Sequence, residues 1–307
     1  MNDTSSKPQK VIDSVYEALG MLYLICESAF YPGAGREFAQ VDLPVQRNIM
    51  GIPNCQSTTI KGALRNMLEN QNTADVNIIF GNENRTGAIS FDNAEILLFP
   101  VRSNVELFWY ITSPSQLSMW IRKIDFLGRA NKIKDAFESI MNKLKDRRLG
   151  LVSNETPYDG KKIILLDDVI LELKSVEELK SITEEIEKAM PDIPGYSYIK
   201  RKIRSNVIVV CDEIFKLLTN KGLYRIARIR LKKETKTVEE GALFFQELIP
   251  EYTILFTLIL KAYRYRNDAQ TQASIKNFVT WLMRNPLVCI AGDETTGRGQ
   301  IRLCLVQ

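Results

Sequence analysis

Residues 31–65 read YPGAGREFAQVDLPVQRNIMGIPNCQSTTIKGALR, and this stretch decides how the chain is expected to fold and act. Its first part, residues 31–56, is punctuated by glycine and proline and has no clean hydrophobic period, which predicts a loop. A loop of that length inside a compact domain usually carries function. The second part predicts a short helix. The whole stretch therefore suits a surface that grips a phosphate backbone beside the carboxylate of Asp42.

The helix is predicted to begin at residues 57–59, where serine and threonine can cap it. Its buried stripe follows the spacing of one helical face: Ile60, Ala63, Leu64, Met67 and Leu68. Lys61 and Arg65 stand four residues apart and share a neighbouring face. Cations beside the free N–H groups of a helix start form an anion site. On this pattern alone, two solvated helix charges remain the alternative.

Asp42 is the acidic side chain of interest in the loop. Pro44 biases Leu43 toward an extended backbone, so Asp42 belongs to a stretched segment. Two interpretations stay open on the residues alone. One is a structural ion pair with Arg47, which is the commoner role for a loop aspartate. The other is a catalytic carboxylate beside a phosphate of the bound partner.

Composition limits the chemistry that is available. The chain has 307 residues, of which 45% are hydrophobic and 25% charged, and this is ample for one large domain. It contains no histidine, so it lacks the commonest general acid and base and every His-ligated metal site. Its five cysteines are scattered without a CxxC pair, which predicts free thiols. Any catalysis must rest on carboxylates, lysine, tyrosine or a bound hard cation.

The N-terminal residues MNDTSSKPQK lack the apolar core of a secretory signal, and no apolar run reaches the length of a bilayer span. We therefore expect a cytoplasmic location and no membrane partner.

Positive charge is concentrated in one region. Residues 200–233 hold eleven basic and two acidic residues, whereas the whole chain carries a net charge of only +4. Such a patch is typical of a protein that binds a polyanion, although a solvated charged face is the alternative. Part of it, YRIARIRLKK (224–233), alternates basic and apolar residues and predicts a basic strand that pairs with GALFFQELIP (241–250) as a long hairpin.

The remaining pattern predicts an α+β chain with a split βαβ core of the ferredoxin type, a mixed or antiparallel sheet, and helices on one of its faces. Residues 115–147 read as helical, and residues 162–173 as a strand pair or a long strand. SVEELKSITEEIEKAM (175–190) reads as a helix that Ser175 caps. We expect one domain over residues 1–307, with an insertion at about 113–200 and a protruding hairpin at about 225–250.

Several motifs resemble the backbone subunit of type III-B (Cmr) CRISPR effector complexes, which belongs to the RAMP family of RNA-binding proteins. VDLPVQR (41–47) followed by IKGALR (60–65) is the most specific pair. Further matching segments cover nearly the whole length: PGAG (32–35), GIP (51–53), IIFGN (78–82), FDNAEILLFPVRS (91–103), TVEEGALFFQELIP (237–250) and GDETTGRG (292–299). The resemblance implies a RAMP fold with an RRM-like palm, helical insertions and a β-hairpin thumb.

The resemblance also implies a function. The subunit would be present in several copies as a helical filament, bind guide crRNA, and cleave complementary single-stranded target RNA at regular intervals. Its implied partners include other Cmr subunits, among them the large polymerase/cyclase-like subunit and the small helical subunit. Asp42 would be the cleavage residue. It would either hold a Mg²⁺ or Mn²⁺ ion or assist removal of the 2′-OH proton.

Other residues are implied around Asp42. Glu247 is a second acidic candidate for catalysis, and the implied RNA-binding residues are Tyr31, Arg47, Lys61, Arg65, Arg228, Arg230 and Arg298. The chain departs from the family pattern at Tyr31, where relatives usually carry histidine, and at Ser57, where they usually carry glycine. These departures keep open an alternative, a non-catalytic structural backbone subunit that binds RNA.

Overall fold

The structure, a computed structural model, describes residues 16–35, 41–70, 75–130, 133–229 and 243–307. In these ranges the strands are β1 (Tyr16–Cys26), β2 (Asn54–Cys55), β3 (Gly81–Asn82), β4 (Arg85–Thr86), β5 (Ile89–Phe91), β6 (Ala94–Val101), β7 (Trp109–Thr112), β8 (Leu149–Val152), β9 (Lys162–Leu165), β10 (Val169–Ser175), β11 (Val207–Val209), β12 (Tyr224–Arg228), β13 (Phe244–Leu248), β14 (Ile254–Ala262), β15 (Leu287–Cys289) and β16 (Gln300–Val306). The α-helices are α1 (Ser57–Asn70), α2 (Val76–Phe80), α3 (Pro114–Phe126), α4 (Lys134–Lys143), α5 (Leu179–Lys188), α6 (Tyr196–Ser205), α7 (Asp212–Lys221) and α8 (Ala269–Leu282).

The core of the sheet has the ferredoxin-type order. Strands β16, β1, β14 and β6 lie side by side in that order, and every neighbouring pair is antiparallel. Helix α1 lies between β1 and β6 in the chain, and α8 lies between β14 and β16. This is the split βαβ arrangement that the sequence predicts, and it is confirmed.

The sheet continues beyond this core through the inserted segment. After β6 the order is β7, β11, β8, β10 and β9, with β7–β11 and β8–β10 parallel and the other pairs antiparallel. The strand pair expected at residues 162–173 is present as β9 and β10. The inserted residues therefore widen the sheet as well as adding helices.

Helices cover both faces of the sheet, so the prediction of helices on one face is wrong. Alternate residues of β1 separate the two layers: Leu22 and Leu24 pack with residues of α1, α2, α7 and α8, whereas Met21 and Tyr23 pack with residues of α3, α4, α5 and α6. The second layer comes from the insertion. The continuous apolar run LYLIC in β1 is the sequence signal for a strand that is buried on both faces.

Two local predictions also need correction. The helix expected over 175–190 begins at Leu179, because Ser175 is the last residue of β10, and its N–H donates to Oδ1 of Asp159 at 2.6 Å. The helical stretch expected over 115–147 is divided into α3 and α4. Among the described residues, none of the helices is long and apolar enough to cross a membrane.

The antiparallel register brings three distant segments to one end of the sheet. The last residues of β1 pair with the first residues of β14 and β16, as Ile25 with Ile254 and Cys26 with Ile301 show. The loop that follows β1, the β12–β13 hairpin that precedes β14, and the glycine-rich loop 292–299 that precedes β16 therefore meet there. This end of the sheet carries the candidate site.

Candidate nucleic-acid interface

The loop after β1 is folded back on itself as a narrow double segment. Gly33 and Val45 form an antiparallel bridge, and the N–H of Ala34 donates to the carbonyl of Pro44 at 3.0 Å. On its other side the segment pairs with β13, since Leu43 N–H donates to the carbonyl of Phe245 at 3.0 Å. The extended backbone that Pro44 predicts is thus present, and it serves as a short extra strand beside the hairpin.

Asp42 lies at the start of this extra strand and is half-buried. Its Oδ2 accepts a hydrogen bond from the backbone N–H of Phe245 at 2.8 Å, so the carboxylate is anchored to β13. No ion pair joins Asp42 to Arg47 within the residues that the structure describes. Of the two interpretations left open by the residues alone, the structural ion pair with Arg47 is therefore wrong, because Arg47 has another partner.

That partner is Glu247. Nη2 of Arg47 lies 2.7 Å from Oε2 of Glu247, whose side chain is only 3% exposed. The same guanidinium donates to Oδ1 of Asn220 at 2.9 Å and to the carbonyl of Val45 at 3.0 Å. Nε of Arg225, across the hairpin, lies 3.6 Å from Oε1 of Glu247. Glu247 thus ties the Asp42 loop to the hairpin, and its partner Arg47 extends the connection to helix α7 through Asn220.

A second cluster joins the hairpin to the glycine-rich loop. Nη1 of Arg228 lies 2.8 Å from Oδ1 of Asp293, and Nη1 of Arg298 lies 3.7 Å from Oδ2. Gln246 is fully buried between them; its Nε2 donates to Asp293 at 2.7 Å, and its Oε1 accepts from Arg228 and Arg298. Burial would raise the pKa of Asp293, but the hydrogen bonds from Gln246 and Arg228 outweigh it and hold that pKa below its usual range.

Tyr31 packs between the two loops. A Cβ at Gly33 would meet the Tyr31 ring at 2.7 Å, and one at Gly292 would meet it at 3.3 Å. These two glycines therefore make room for the ring. Burial and the nearby carboxylate of Asp293 raise the pKa of Tyr31, while Arg228 opposes the rise. Its hydroxyl is a hydrogen-bond donor at neutral pH.

Helix α1 is joined to the Asp42 segment by Gln46. Its Oε1 accepts from the backbone N–H of Gln56 at 2.7 Å, just before the helix, and its Nε2 donates to the carbonyl of Gly33 at 3.0 Å. Lys61 has no hydrogen bond or ion pair to any residue that the structure describes. Arg65 is held by the protein, since it donates to Glu69 at 2.8 Å and to the carbonyl of Gly81 at 2.7 Å.

The structure thus brings Tyr31, Asp42, Arg47, Arg228, Glu247 and Arg298 to one end of the sheet. Arg230 lies outside the described residues. Sequence reasoning missed Gln46, Gln246 and Asp293, which connect the three segments. Gln46 lies inside the VDLPVQR motif and Asp293 inside the glycine-rich loop, but a buried connecting role leaves no local pattern in the sequence.

The donor set at Asp42 bears on a metal ion. Within the described ranges no group of three or more histidine, cysteine, aspartate or glutamate side chains is arranged to hold one. Asp42 supplies a single carboxylate, with Oδ2 engaged by Phe245. One carboxylate fits a hard cation whose other ligands are water and phosphate oxygens, as is common for Mg²⁺.

The chain has a ferredoxin-type palm, with a hairpin and a glycine-rich loop at one end of its sheet. A four-stranded palm of this type is shared with RRM-like proteins, which bind RNA. Residues 23–302 match the RAMP superfamily. The chain therefore belongs to the RAMP superfamily.

Within that superfamily the chain is similar to Cmr4 proteins along nearly its whole length. It is 33% identical over 284 residues to the CRISPR system Cmr endoribonuclease Cmr4 of Pyrococcus furiosus, covering 90% of this chain and 91% of that one. The crystal structure of oligomeric Cmr4 from Pyrococcus furiosus superposes with a TM-score of 0.69 at 25% identity, over 95% of this chain and 99% of that one. A subunit in the cryo-EM structure of type III-B Cmr-beta bound to cognate target RNA gives a TM-score of 0.74 at 21% identity, over 95% and 98% of the two chains.

Proposed function

We propose that this protein is a multi-copy backbone subunit of a type III-B CRISPR ribonucleoprotein that binds guide crRNA and cleaves complementary single-stranded target RNA at regular intervals. The similarity to a Cmr endoribonuclease over 90% of the chain carries the proposal. The clustering of Asp42, Arg47, Arg228 and Arg298 beside the hairpin supports it, because a carboxylate among arginines suits a phosphodiester substrate.

The proposed reaction is an in-line transesterification at Asp42. The 2′-hydroxyl of a ribose gives its proton to Asp42 or to water as its oxygen attacks the adjacent phosphorus. The bond to the 5′-oxygen breaks, that oxygen takes up a proton from water, and the products carry a 2′,3′-cyclic phosphate and a 5′-hydroxyl. A nucleotide turned out of the duplex is free to reach this geometry. Asp42 directs the attacking hydroxyl, and its bond to Phe245 N–H holds the carboxylate at the hairpin. A Mg²⁺ or Mn²⁺ ion bound at Asp42 would supply charge stabilisation for the phosphate.

One observation favours a second candidate, a structural RNA-binding subunit without cleavage. The hydrogen bond from Phe245 N–H to Asp42 is by itself a sufficient structural role for the carboxylate. In that case the charge of Asp42 would matter less than its acceptor oxygen.

The deciding experiment compares Asp42→Asn with Asp42→Ala in the complex assembled with guide and labelled target RNA. Asparagine keeps an acceptor for Phe245 N–H but removes the charge, so the proposal predicts loss of cleavage in both variants with assembly and target binding intact. Asp192→Asn, at a fully exposed loop position, is the matched control and should cleave normally. Cleavage at regular intervals by Asp42→Asn would contradict the catalytic assignment and favour the structural one.

The proposed partners follow from the same assignment. They are guide crRNA, target RNA, further copies of this chain in a helical filament, the large polymerase/cyclase-like subunit and the small helical subunit, all in the cytoplasm. The base pairing of guide with target would read the sequence, while this protein contacts backbone and shape. Binding should therefore show little sequence preference and should weaken steeply with salt.

A further inference from the structure

Tyr252 occupies an unusual backbone conformation between the hairpin and β14. Its φ is +67°, a left-handed value that is rare for a bulky aromatic residue and strains the backbone. The surrounding structure fixes it there: its N–H donates to the carbonyl of Cys26 at 2.7 Å, and its carbonyl accepts from the hydroxyl of Tyr110 at 3.1 Å. The strain holds an aromatic ring at the surface, since Tyr252 is 42% exposed.

The ring of Tyr252 lies on a rigid aromatic base. It stacks on Phe108 with centroids 5.5 Å apart and planes inclined by 14°. Phe108 is buried, with edge contacts to Tyr110 at 5.2 Å and Tyr198 at 6.5 Å. Phe108 thus overlaps part of one face of the Tyr252 ring and fixes the plane of the ring, while 42% of the residue stays exposed. An immobilised ring with an open face is the feature on which nucleobases stack.

Helix α6 brings a cation to this aromatic group. Three of its four cations are in ion pairs: Lys200 with Asp192, Lys202 with Glu106, and Arg204 with Glu187. Arg201 is the fourth. It is exposed, has no ion-pair partner among the residues described, and its guanidinium lies over the ring of Tyr198, 5.6 Å from the centroid. Arg201 is therefore available to a phosphate beside the aromatic surface.

The position of this surface links it to the proposed RNA path. Tyr252 is bonded to Cys26 at the same end of the sheet as Asp42, but Phe108 and Tyr110 belong to the core layer of the inserted helices. The Asp42 loop packs on the other layer, through Val45. An RNA strand that crosses this end of the sheet can therefore contact both the Asp42 loop and Tyr252. The residue before Tyr252 is the acidic Glu251, and its Oε1 accepts a hydrogen bond from the hydroxyl of Tyr224 at 2.9 Å.

We propose that Tyr252, supported by Phe108, binds an unpaired nucleobase of single-stranded RNA on the side of the sheet end opposite the Asp42 loop, and that Arg201, on the neighbouring ring of Tyr198, binds a phosphate of the same strand. The inference rests on the proposed function, because it extends the same RNA interface. Stacking supplies affinity without sequence preference, and Arg201 neutralises a phosphate elsewhere on the same strand.

The test uses the full-length chain and a short single-stranded RNA that carries 4-thiouridine for photo-crosslinking. Tyr252→Asn removes the ring with a residue that tolerates the left-handed backbone, and Tyr252→Phe keeps it. We expect a crosslink within residues 250–254 of the wild type and of Tyr252→Phe. We expect its loss, with a drop in affinity of about tenfold, in Tyr252→Asn; one stacked base commonly contributes an effect of this size. Phe126→Ala, which removes another exposed ring on α3, is the control and should bind as the wild type does.

Arg201→Ala provides a second variant that leaves the strained backbone untouched, and it should weaken binding and lower the salt slope by about one. Equal affinity of wild type and Tyr252→Asn, with normal crosslinks elsewhere, would overturn this inference and leave the proposed function standing. No RNA binding by the wild type would overturn both. A change in the oligomeric state of Tyr252→Asn without RNA would show that the ring contacts protein instead, which also overturns the inference.

Discussion

Replacing Glu247 by alanine should destabilise the protein by about 3 kcal/mol. Breaking a buried ion pair commonly costs about 3–5 kcal/mol, because one charge is left without its partner. Here Arg47 is 27% exposed and keeps its bonds to Asn220 and Val45, so we expect about 2–3 kcal/mol from this pair. Arg225 is 58% exposed and 3.6 Å away, and adds less than about 1 kcal/mol. Glu247→Gln keeps the acceptor oxygen and should lose only about 1 kcal/mol.

The assay is urea unfolding of the full-length chain, with Glu83→Ala as the control because Glu83 is exposed on a turn. A double-mutant cycle with Arg47→Met should give a coupling energy of at least about 1 kcal/mol. A loss below about 1 kcal/mol for Glu247→Ala, or an equal loss in the Arg47→Met background, would refute the pairing as a source of stability.

Cleavage by the same variants distinguishes two roles for Glu247. If the carboxylate positions the Asp42 loop, Glu247→Gln should retain most of the target cleavage of the assembled complex, and Glu247→Ala should lose more. If it takes part in proton transfer, both variants should lose cleavage to the same extent. The burial of Glu247 beneath Arg47 leads us to expect the first result.

Three further outcomes are expected. Lys61→Ala should weaken RNA binding and lower the salt slope by about one, whereas Lys145→Ala, at an exposed position, should leave the filter-binding slope unchanged. Gly299→Ala should lower the unfolding temperature clearly more than Gly297→Ala: both glycines have positive φ, but a Cβ at Gly299 would meet the carbonyl of Ile290 at 2.3 Å while none of the described atoms lies within 4 Å of one at Gly297. Asp293 has a lower pKa in the folded state, so its contribution to stability is complete above the ordinary pKa near 4 and is lost as the pH falls through the folded value. Urea unfolding across the acid range should accordingly show a shallower loss for Asp293→Asn than for the wild type.

The helices and strands of the palm could be predicted from the sequence, because the spacing of apolar residues in each one reflects which of its faces is buried. The apolar stripe of α1 follows from periodicity alone. The pattern of residues 162–173 fitted either a strand pair or one long strand, and the structure has the pair β9–β10. The helix start expected at Ser175 failed for a tertiary reason: its N–H is bound by Asp159, so the residue is drawn into β10. A local capping pattern cannot show that a residue sixteen positions earlier competes for it.

The residue types of the candidate site could be predicted from the sequence, but the contacts between those residues could not. Asp42, Arg47 and Glu247 could each be chosen as chemically active. The Arg47–Glu247 ion pair and the hydrogen bond from Phe245 to Asp42, however, depend on the pairing of the Asp42 segment with the distant strand β13. For Lys61 and Arg65 the sequence pattern predicted a similarity that the structure does not have. Their spacing suggested two equivalent cations, but the fold places the carbonyl of Gly81 within reach of Arg65 alone.

The arginines at the sheet end hold the structure together through ion pairs, and we propose that they also attract RNA. Arg47 and Arg225 share the carboxylate of Glu247, and Arg228 and Arg298 share that of Asp293. Two guanidinium groups on one carboxylate leave each trio with one net positive charge. A single arginine in an ion pair would fix the hairpin and cancel its own field. The second arginine in each trio preserves a positive field at the place where the hairpin, the Asp42 loop and the glycine-rich loop meet, and a phosphate backbone is the partner that such a fixed field attracts.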